Sequence, residues 1–467
     1  MASVQFTRVL TVVTVVTCLA VPAACSSRGA STAGAPSGSG APETATPEQP
    51  APKPLAAAEG DGAATRRRVL VGKAPAAAGV EVTVTRLRTD RPGGRVTGLS
   101  ASGVAVGVTG RHGATPTERD AERAVRWDAD GKLTPLPAFP VVPEPRIGPD
   151  GLIAFTAPRN SRAPLRWNPP LVVQETTAET ADGDRPRGRD DVAAVVDVGT
   201  DDVLVDLRPR RPSVPARDDA PPAGIWSPRT GDVTPIPLVG RFLTPDGGVV
   251  GDLVTGVTED HPDGSAPALW RPGGSVVRLE VPRGWKGDPR AGTGDTVVGK
   301  LTRHRVDAPA DGGEQEQPPA AAVAWRGGRV EYLPPLGGRQ SIAVAVNRRG
   351  TVVGTSRTPD PDGWPHAVIW RGGRVTDLGT LDGEGESWAV DVSENDVAVG
   401  YSSTRGGGRH AVAWVRGGIV DLGAAVDPAA KSRADGIVGR RVYGRVSDAE
   451  GVDNPVIWTL KPTRADR

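Results

Sequence analysis

The chain has 467 residues with 61 Gly and 46 Pro, and only 4% of them are aromatic; so many turn formers exclude a body of long helices and point to short strands. Lys and Arg number 56 against 55 Asp and Glu, a formal net charge of +1, with both signs mixed along the chain, so no basic field suits nucleic acid. With two cysteines, one of them inside an N-terminal apolar run, disulfides do not hold this fold.

The N-terminus reads as an export signal. Arg8 supplies the positive flank, Val9 to Ala20 is largely apolar and contains Cys18, and Val21-Pro22-Ala23 offers small residues for cleavage. The run is too short to span a bilayer comfortably. Val21-Pro-Ala-Ala-Cys25 followed by Ser26-Ser27 resembles a bacterial lipobox, with Pro22 where Leu is usual. The resemblance implies lipidation of Cys25, whose several acyl chains would anchor the protein on the outer face of the membrane; cleavage after Ala23 and free secretion is the alternative. From residue 25 to 65 the chain is mostly Ala, Ser, Gly, Pro and Thr, a composition that cannot offset its chain entropy and reads as a disordered tether.

The body, residues 66 to 462, is a tandem repeat, followed by a polar tail at 463–467. His366-Ala-Val-Ile-Trp370 returns 44 residues later as His410-Ala-Val-Ala-Trp414, each followed by Asp-Leu-Gly at 377–379 and 421–423. Upstream blocks match too: Ser341 to Gly354 against Ser387 to Gly400. Repetition at this period marks a repeat architecture. A Trp preceded by small or apolar residues recurs at Trp127, Trp167, Trp226, Trp270, Trp325, Trp370, Trp414 and Trp458. Most units carry a valine block ending at Gly before the Trp; Pro149 to Ala154 and Thr200 to Val205 are degenerate versions.

One unit contains four short strands, which in the seventh are Trp388–Val392, Val397–Tyr401, Ala411–Val415 and Ile419–Leu422, bounded by turn formers. The Arg-Gly-Gly between the last two strands supplies the positive φ of a tight hairpin. Four-stranded sheets recurring every 40 to 60 residues are the blades of a β-propeller. The expectation is all-β, about eight blades, or seven if Phe139 to Pro186 is an irregular insertion. The eight Trp rings are expected to fill the space between blades. No fourth strand follows Trp458, whereas Val80 to Leu87 alternates as a strand without a Trp of its own, so the N-terminal strand is expected to complete the last blade and close the ring.

His366 to Leu381, flanked by Ala343-Val-Ala-Val-Asn347 and Val397-Ala-Val-Gly400, resembles the bacterial extracellular HAF-repeat family, with Val368 and Val412 where Phe is usual. The likeness is strong over about residues 340 to 425. It implies an exported repeat protein and brings no established reaction.

No nucleophile elbow, phosphate loop or His-Glu-Xaa-Xaa-His motif is visible. His366 and His410 hold equivalent places, but five His in all are few for a metal site; packing or hydrogen bonding is expected of them, and backbone capping of Asp377 and Asp421. Asp201-Asp202 and Asp360-Pro-Asp362 read as turns. No cofactor or metal is expected, and the chain is expected to be monomeric. The loops joining strands two to three, and each unit to the next, vary greatly in length and emerge at one end of the ring, where recognition is expected. Trp285, Trp364 and Trp388 fall there and form a candidate stacking platform for a sugar or a protein anchor. The leading expectation is a cell-surface binding module for a glycan, envelope component or protein, attached to the membrane only through its lipid. A propeller hydrolase or lyase, with carboxylates converging in the central cavity, is the alternative.

Overall fold

A computed structural model describes residues 65–67, 79–110, 122–136, 144–156, 170–173, 194–199, 202–206, 223–230, 232–236, 249–250, 253–261, 264–270, 274–303, 319–360 and 363–462. The export signal, the tether up to residue 64, Cys25 and Trp167 lie outside these residues. Among them every regular element is a strand, and the strands form an all-β propeller of consecutive antiparallel sheets. We number the sheets in chain order: sheet 1 (94–135), sheet 2 (146–173), sheet 3 (194–235), sheet 4 (249–278), sheet 5 (285–332), sheet 6 (341–377), sheet 7 (387–421) and sheet 8 (432–462, with Val80–Arg86 and Thr65–Arg67).

Six sheets have the complete four-stranded order of a blade, not the eight expected. Sheet 2 has three described strands. Sheet 8 has five, because Val80–Arg86 pairs with Asp453–Pro462 from Val80↔Pro462 to Arg86↔Val456, and Thr65–Arg67 adds outside it. In the seventh unit the strands are Ser387–Val392, Ala398–Ser403, Arg409–Val415 and Gly418–Asp421, within two residues of the sequence-based bounds. First strands of consecutive sheets touch one another, as in sheets 5 to 8, so the first strand is innermost.

Local chemistry explains the repeated motif. The first strands of sheets 1, 5, 6, 7 and 8 each carry a β-bulge, between Ala389 and Asp391 in sheet 7. A bulge bends its strand towards the partner, and the strand-two residue opposite is Gly107, Gly299, Gly354, Gly400 or Gly444. A Cβ at any of these would collide with a first-strand carbonyl oxygen, and at Gly107 and Gly444 also with the ring of Trp127 or Trp458. The hairpins at Gly327-Gly328 and Gly372-Gly373 have positive φ at both positions, as two-residue turns matching the strand twist require. In the turn 393–397 the left-handed position that Gly350 fills in sheet 6 is taken by Asp396, at φ 62°.

Trp127, Trp226, Trp270, Trp325, Trp370, Trp414 and Trp458 are buried. Three of their indole N–H groups reach the strand before: Trp325 donates to Glu280 O (2.8 Å), Trp370 to Pro334 O (2.7 Å) and Trp127 to Arg88 O (2.6 Å). Each acceptor lies two residues beyond an outer strand, namely Val276–Arg278, Arg329–Tyr332 and Val80–Arg86. A Leu sits one residue beyond each, and the N–H groups of Leu87, Leu279 and Leu333 all donate back to the adjacent strand's carbonyls. Serines fasten sheet to sheet: Ser341, Ser387 and Ser432, first residues of their sheets, accept the N–H groups of Ala322, Ala367 and Ala411 at 2.9 Å. At the opposite end Asn347, fully buried, donates to Ser393 O and Asp396 Oδ1 across the next seam.

Candidate functional site

Because strands alternate in direction, the turns after strands one and three emerge at one end of the ring, here called the turn end. Strand-two-to-three loops and sheet-to-sheet linkers emerge at the other, the linker end. Trp285, Trp364 and Trp388 all belong to the linker end, on sheets 5, 6 and 7. Their environments differ. Trp285 is half-buried against the sheet-5 core, with the Arg303 guanidinium 5.9 Å over its ring. Trp364 is 59% exposed. Trp388 is half-buried and stacked on Tyr401, with centroids 6.4 Å apart and planes 18° from parallel.

Around Trp388 the structure assembles side chains that the repeat reading did not single out. Its indole N–H donates to Glu386 (3.1 Å), and the Glu386 carboxylate also binds Arg409 (2.5 Å). Arg409 and Arg433 both lie over the Tyr401 ring, at 5.3 and 5.6 Å from its centroid, the electron-rich face attracting each cation. Arg433 pairs with Asp435 (3.1 Å), and Arg445 bridges Asp435 and Asp453 (3.7 and 3.5 Å). On sheet 1, Arg95 pairs with Glu122 and Glu144 (2.9 and 2.7 Å).

One register position organises this cluster. Trp388↔Tyr401, Arg433↔Arg445 and Asp288↔Lys300 are each the pair just ahead of the bulge pair, and Arg95↔Val108 is the same place in sheet 1. The residues flanking it in the first strand are small or uncharged, as with Ser387 and Ala389, Ser432 and Ala434, and Gly287 and Pro289. A large or charged side chain at the second position of the block was therefore the available signal, and it needed the units set in register to be seen. Burial pushes the Asp435 carboxyl above its ordinary value, although Arg445 and Arg433 oppose the shift. At Arg95 burial works against the charge, and the Glu144 and Glu122 carboxylates outweigh it.

The repeated histidines are clamps. His366 Nδ1 lies 2.8 Å from Asp377 Oδ2, and His410 Nδ1 2.9 Å from Asp421 Oδ2. Their rings also hydrogen-bond the backbone of the following linkers, at Gly385 and Pro428. The aspartates cap linker amides, Asp377 taking Gly379 N and Asp421 taking Ala424 N, as expected of them. The hydrogen bond to its Asp raises each His above the ordinary imidazole value. For Asp377, burial is outweighed by hydrogen bonds from His366 and Gly379, and the carboxyl is lowered. A raised His stabilises the fold fully below its unfolded value of about 6.5 and loses that contribution as pH climbs through the folded value; a lowered Asp contributes above about 3.8 and loses it as pH falls.

His410→Ala should therefore destabilise by about 2 kcal/mol near pH 5, and the difference from wild type should shrink as pH rises past the raised imidazole value. Denaturant titrations at pH 5 and pH 9 check this. Equal losses at both would contradict a charged clamp.

Among the described residues no three His, Cys, Asp or Glu side chains are grouped to hold a metal ion. Gly363 N donates to Asp360 O (2.9 Å), and residues 361 and 362 of the acidic segment lie outside the described residues.

No protein-family model matches the chain, and no curated protein matches it. Among solved structures it is similar to the β-propeller domain of the Trilobed protease from Pyrococcus furiosus, at 15% identity and TM-score 0.44, covering 72% of this chain and 98% of that one. It is also similar to Pyrococcus horikoshii acylaminoacyl peptidase, at 13% identity and TM-score 0.44 over 76% of this chain, but spans only 58% of that protein's length. A putative TolB from Agrobacterium tumefaciens gives 14% identity and TM-score 0.29 over 63% of this chain and 99% of that one. Likenesses this distant bring no activity with them, and the propeller architecture rests on the sheet order described above.

Proposed function

We propose that the chain is an exported, lipid-anchored binding scaffold of the HAF-repeat type, a propeller closed by its N-terminal strand, with its recognition surface at the linker end. Support for closure comes from Val80–Arg86 occupying a fourth-strand place in every respect: it pairs outside Asp453–Pro462, Leu87 follows it, and Arg88 receives the Trp127 N–H. Sheet 8 then abuts sheet 1. Export and anchoring at Cys25 rest on the N-terminal sequence.

The observation that carries the binding reading is the stack of Trp388, Tyr401, Arg409 and Arg433, held by Glu386 at the mouth of the variable end. Aromatic rings and guanidinium groups preorganised on rigid strands are the common anchors of recognition, and Trp364 stands exposed on the neighbouring sheet. A glycan or protein of the cell envelope is the ligand class. Retention on immobilised envelope polysaccharide and envelope protein fractions tests this. Trp388→Ala and Arg409→Ala should each weaken retention about tenfold, roughly 1.4 kcal/mol, with unchanged circular dichroism. Unchanged retention by both variants would contradict the site.

A second reading, a hydrolase or lyase, draws on Asp435. Its carboxyl is raised by burial and shares Arg445 with Asp453, and a carboxyl held above its ordinary value suits general acid chemistry.

A further inference from the structure

The turn end carries a charge pattern that the near-neutral composition conceals. On sheets 5 to 8, nine arginines stand in or close its turns, against three carboxylates. Arg326 with Arg329 and Arg371 with Arg374 close two hairpins, and Arg416 and Arg440 project from two more turns. One carboxylate, Asp396, is already engaged by Arg349 and Arg371 at 3.3 Å. On sheets 1 to 3 the balance reverses, with five carboxylates and two cations among the described turn residues. Between sheets 7 and 8 the same end opens a groove of ≈ 300 Å³, floored by Val397, Val415 and Leu460 and rimmed by Arg416, Arg440 and Lys461, with no carboxylate in its lining.

We infer that the turn end of sheets 5 to 8 seats against an anionic lipid surface, leaving the linker end facing outwards. Cations spread over four adjacent sheets match a laterally extended negative surface, to which basic side chains are drawn within a Debye length. A groove with an apolar floor and cationic rim adds a place for the interfacial region of a lipid. The inference rests on the export reading but not on the lipid at Cys25. If Cys25 is acylated, the tether holds the domain at high local concentration, and a weak attraction suffices to orient it.

The test uses the full chain carrying Cys25→Ser, so that no acyl chain contributes, with vesicles of phosphatidylcholine alone or mixed with phosphatidylglycerol. The apolar run Val9 to Ala20 is common to every arm. Amide exchange should slow in the turns 371–374, 415–418 and 439–441 on the anionic vesicles only, and the effect should vanish at about 0.5 M salt. Arg416→Glu, Arg440→Glu and Lys461→Glu together should weaken binding at least about tenfold, while reversing Arg405 and Lys431 at the linker end changes it little. Equal protection on neutral vesicles, protection of the linker 379–386 instead, or indifference to the triple reversal would overturn the inference. Soluble polyphosphate that protects these turns when anionic vesicles do not would assign the face to an acidic partner and overturn it as well. Failure of Cys25 lipidation appears separately, as release of the wild-type chain from membranes, and leaves this outcome readable.

Discussion

Gly400→Val is expected to destabilise the protein by more than about 3 kcal/mol, a large part of the stability of an ordinary domain. The side chain has nowhere to go. Gly400 faces the bulge between Ala389 and Asp391, and any Cβ there meets the Trp388 carbonyl oxygen, a backbone atom that cannot swing aside. Relief requires moving the first strand, and with it the Ser387 bond to Ala367 and the Trp388 stack on Tyr401. Gly372→Ala is the contrasting case. Its Cβ would enter open space, and the φ of 53° costs only about 1 kcal/mol. Denaturant midpoints of the two variants should differ several-fold in shift. Similar shifts would mean that the bulge is not what fixes Gly in the motif.

Deleting residues 66 to 90 is expected to lower the melting temperature by at least about 10 °C, or to abolish a cooperative transition, whereas deleting 26 to 60 should leave it unchanged. The first deletion removes a strand with Val82 and Val84 buried, Leu87 buried beyond it, and the Arg88 carbonyl that satisfies Trp127. Each buried aliphatic side chain contributes about 1.5 to 3 kcal/mol, and the uncovered strand Asp453–Pro462 becomes an edge open to aggregation. Scanning calorimetry on the two truncations decides. Equal effects would count against closure of the ring by this strand.

What the sequence made legible follows from where each constraint is written. Hairpin glycines, the valine blocks and the blade Trp are local and repeat in register, so the strands of sheet 7 could be placed within two residues. Sheet 3 formed despite its degenerate block because Val203, Leu204 and Val205 keep the buried pattern, with Val205 where other sheets have Gly. The histidines were expected to pack or hydrogen-bond, and their partners Asp377 and Asp421 lie only eleven residues on. Other features depend on residues from different units. The Ser387 bond to Ala367 and the approach of Arg433, from sheet 8, to the Tyr401 ring of sheet 7 arise only once sheets are stacked, and their partners stand 20 and 32 residues apart in the sequence. The platform of three Trp residues illustrates the limit: the loop pattern placed all three at one end, but could not tell that Trp388 would face Tyr401 while Trp285 packed into its own sheet.

On the proposed function, the linker end binds a ligand without transforming it. The most direct measurement is to incubate the purified protein with the envelope fraction it retains and to follow the size distribution of that fraction over hours by gel filtration, alongside Asp435→Asn. Binding predicts full recovery at unchanged length, with retention that depends on Trp388 and Arg409 and survives Asp435→Asn. Progressive shortening of the ligand that disappears in Asp435→Asn would contradict the claim and establish the enzyme reading.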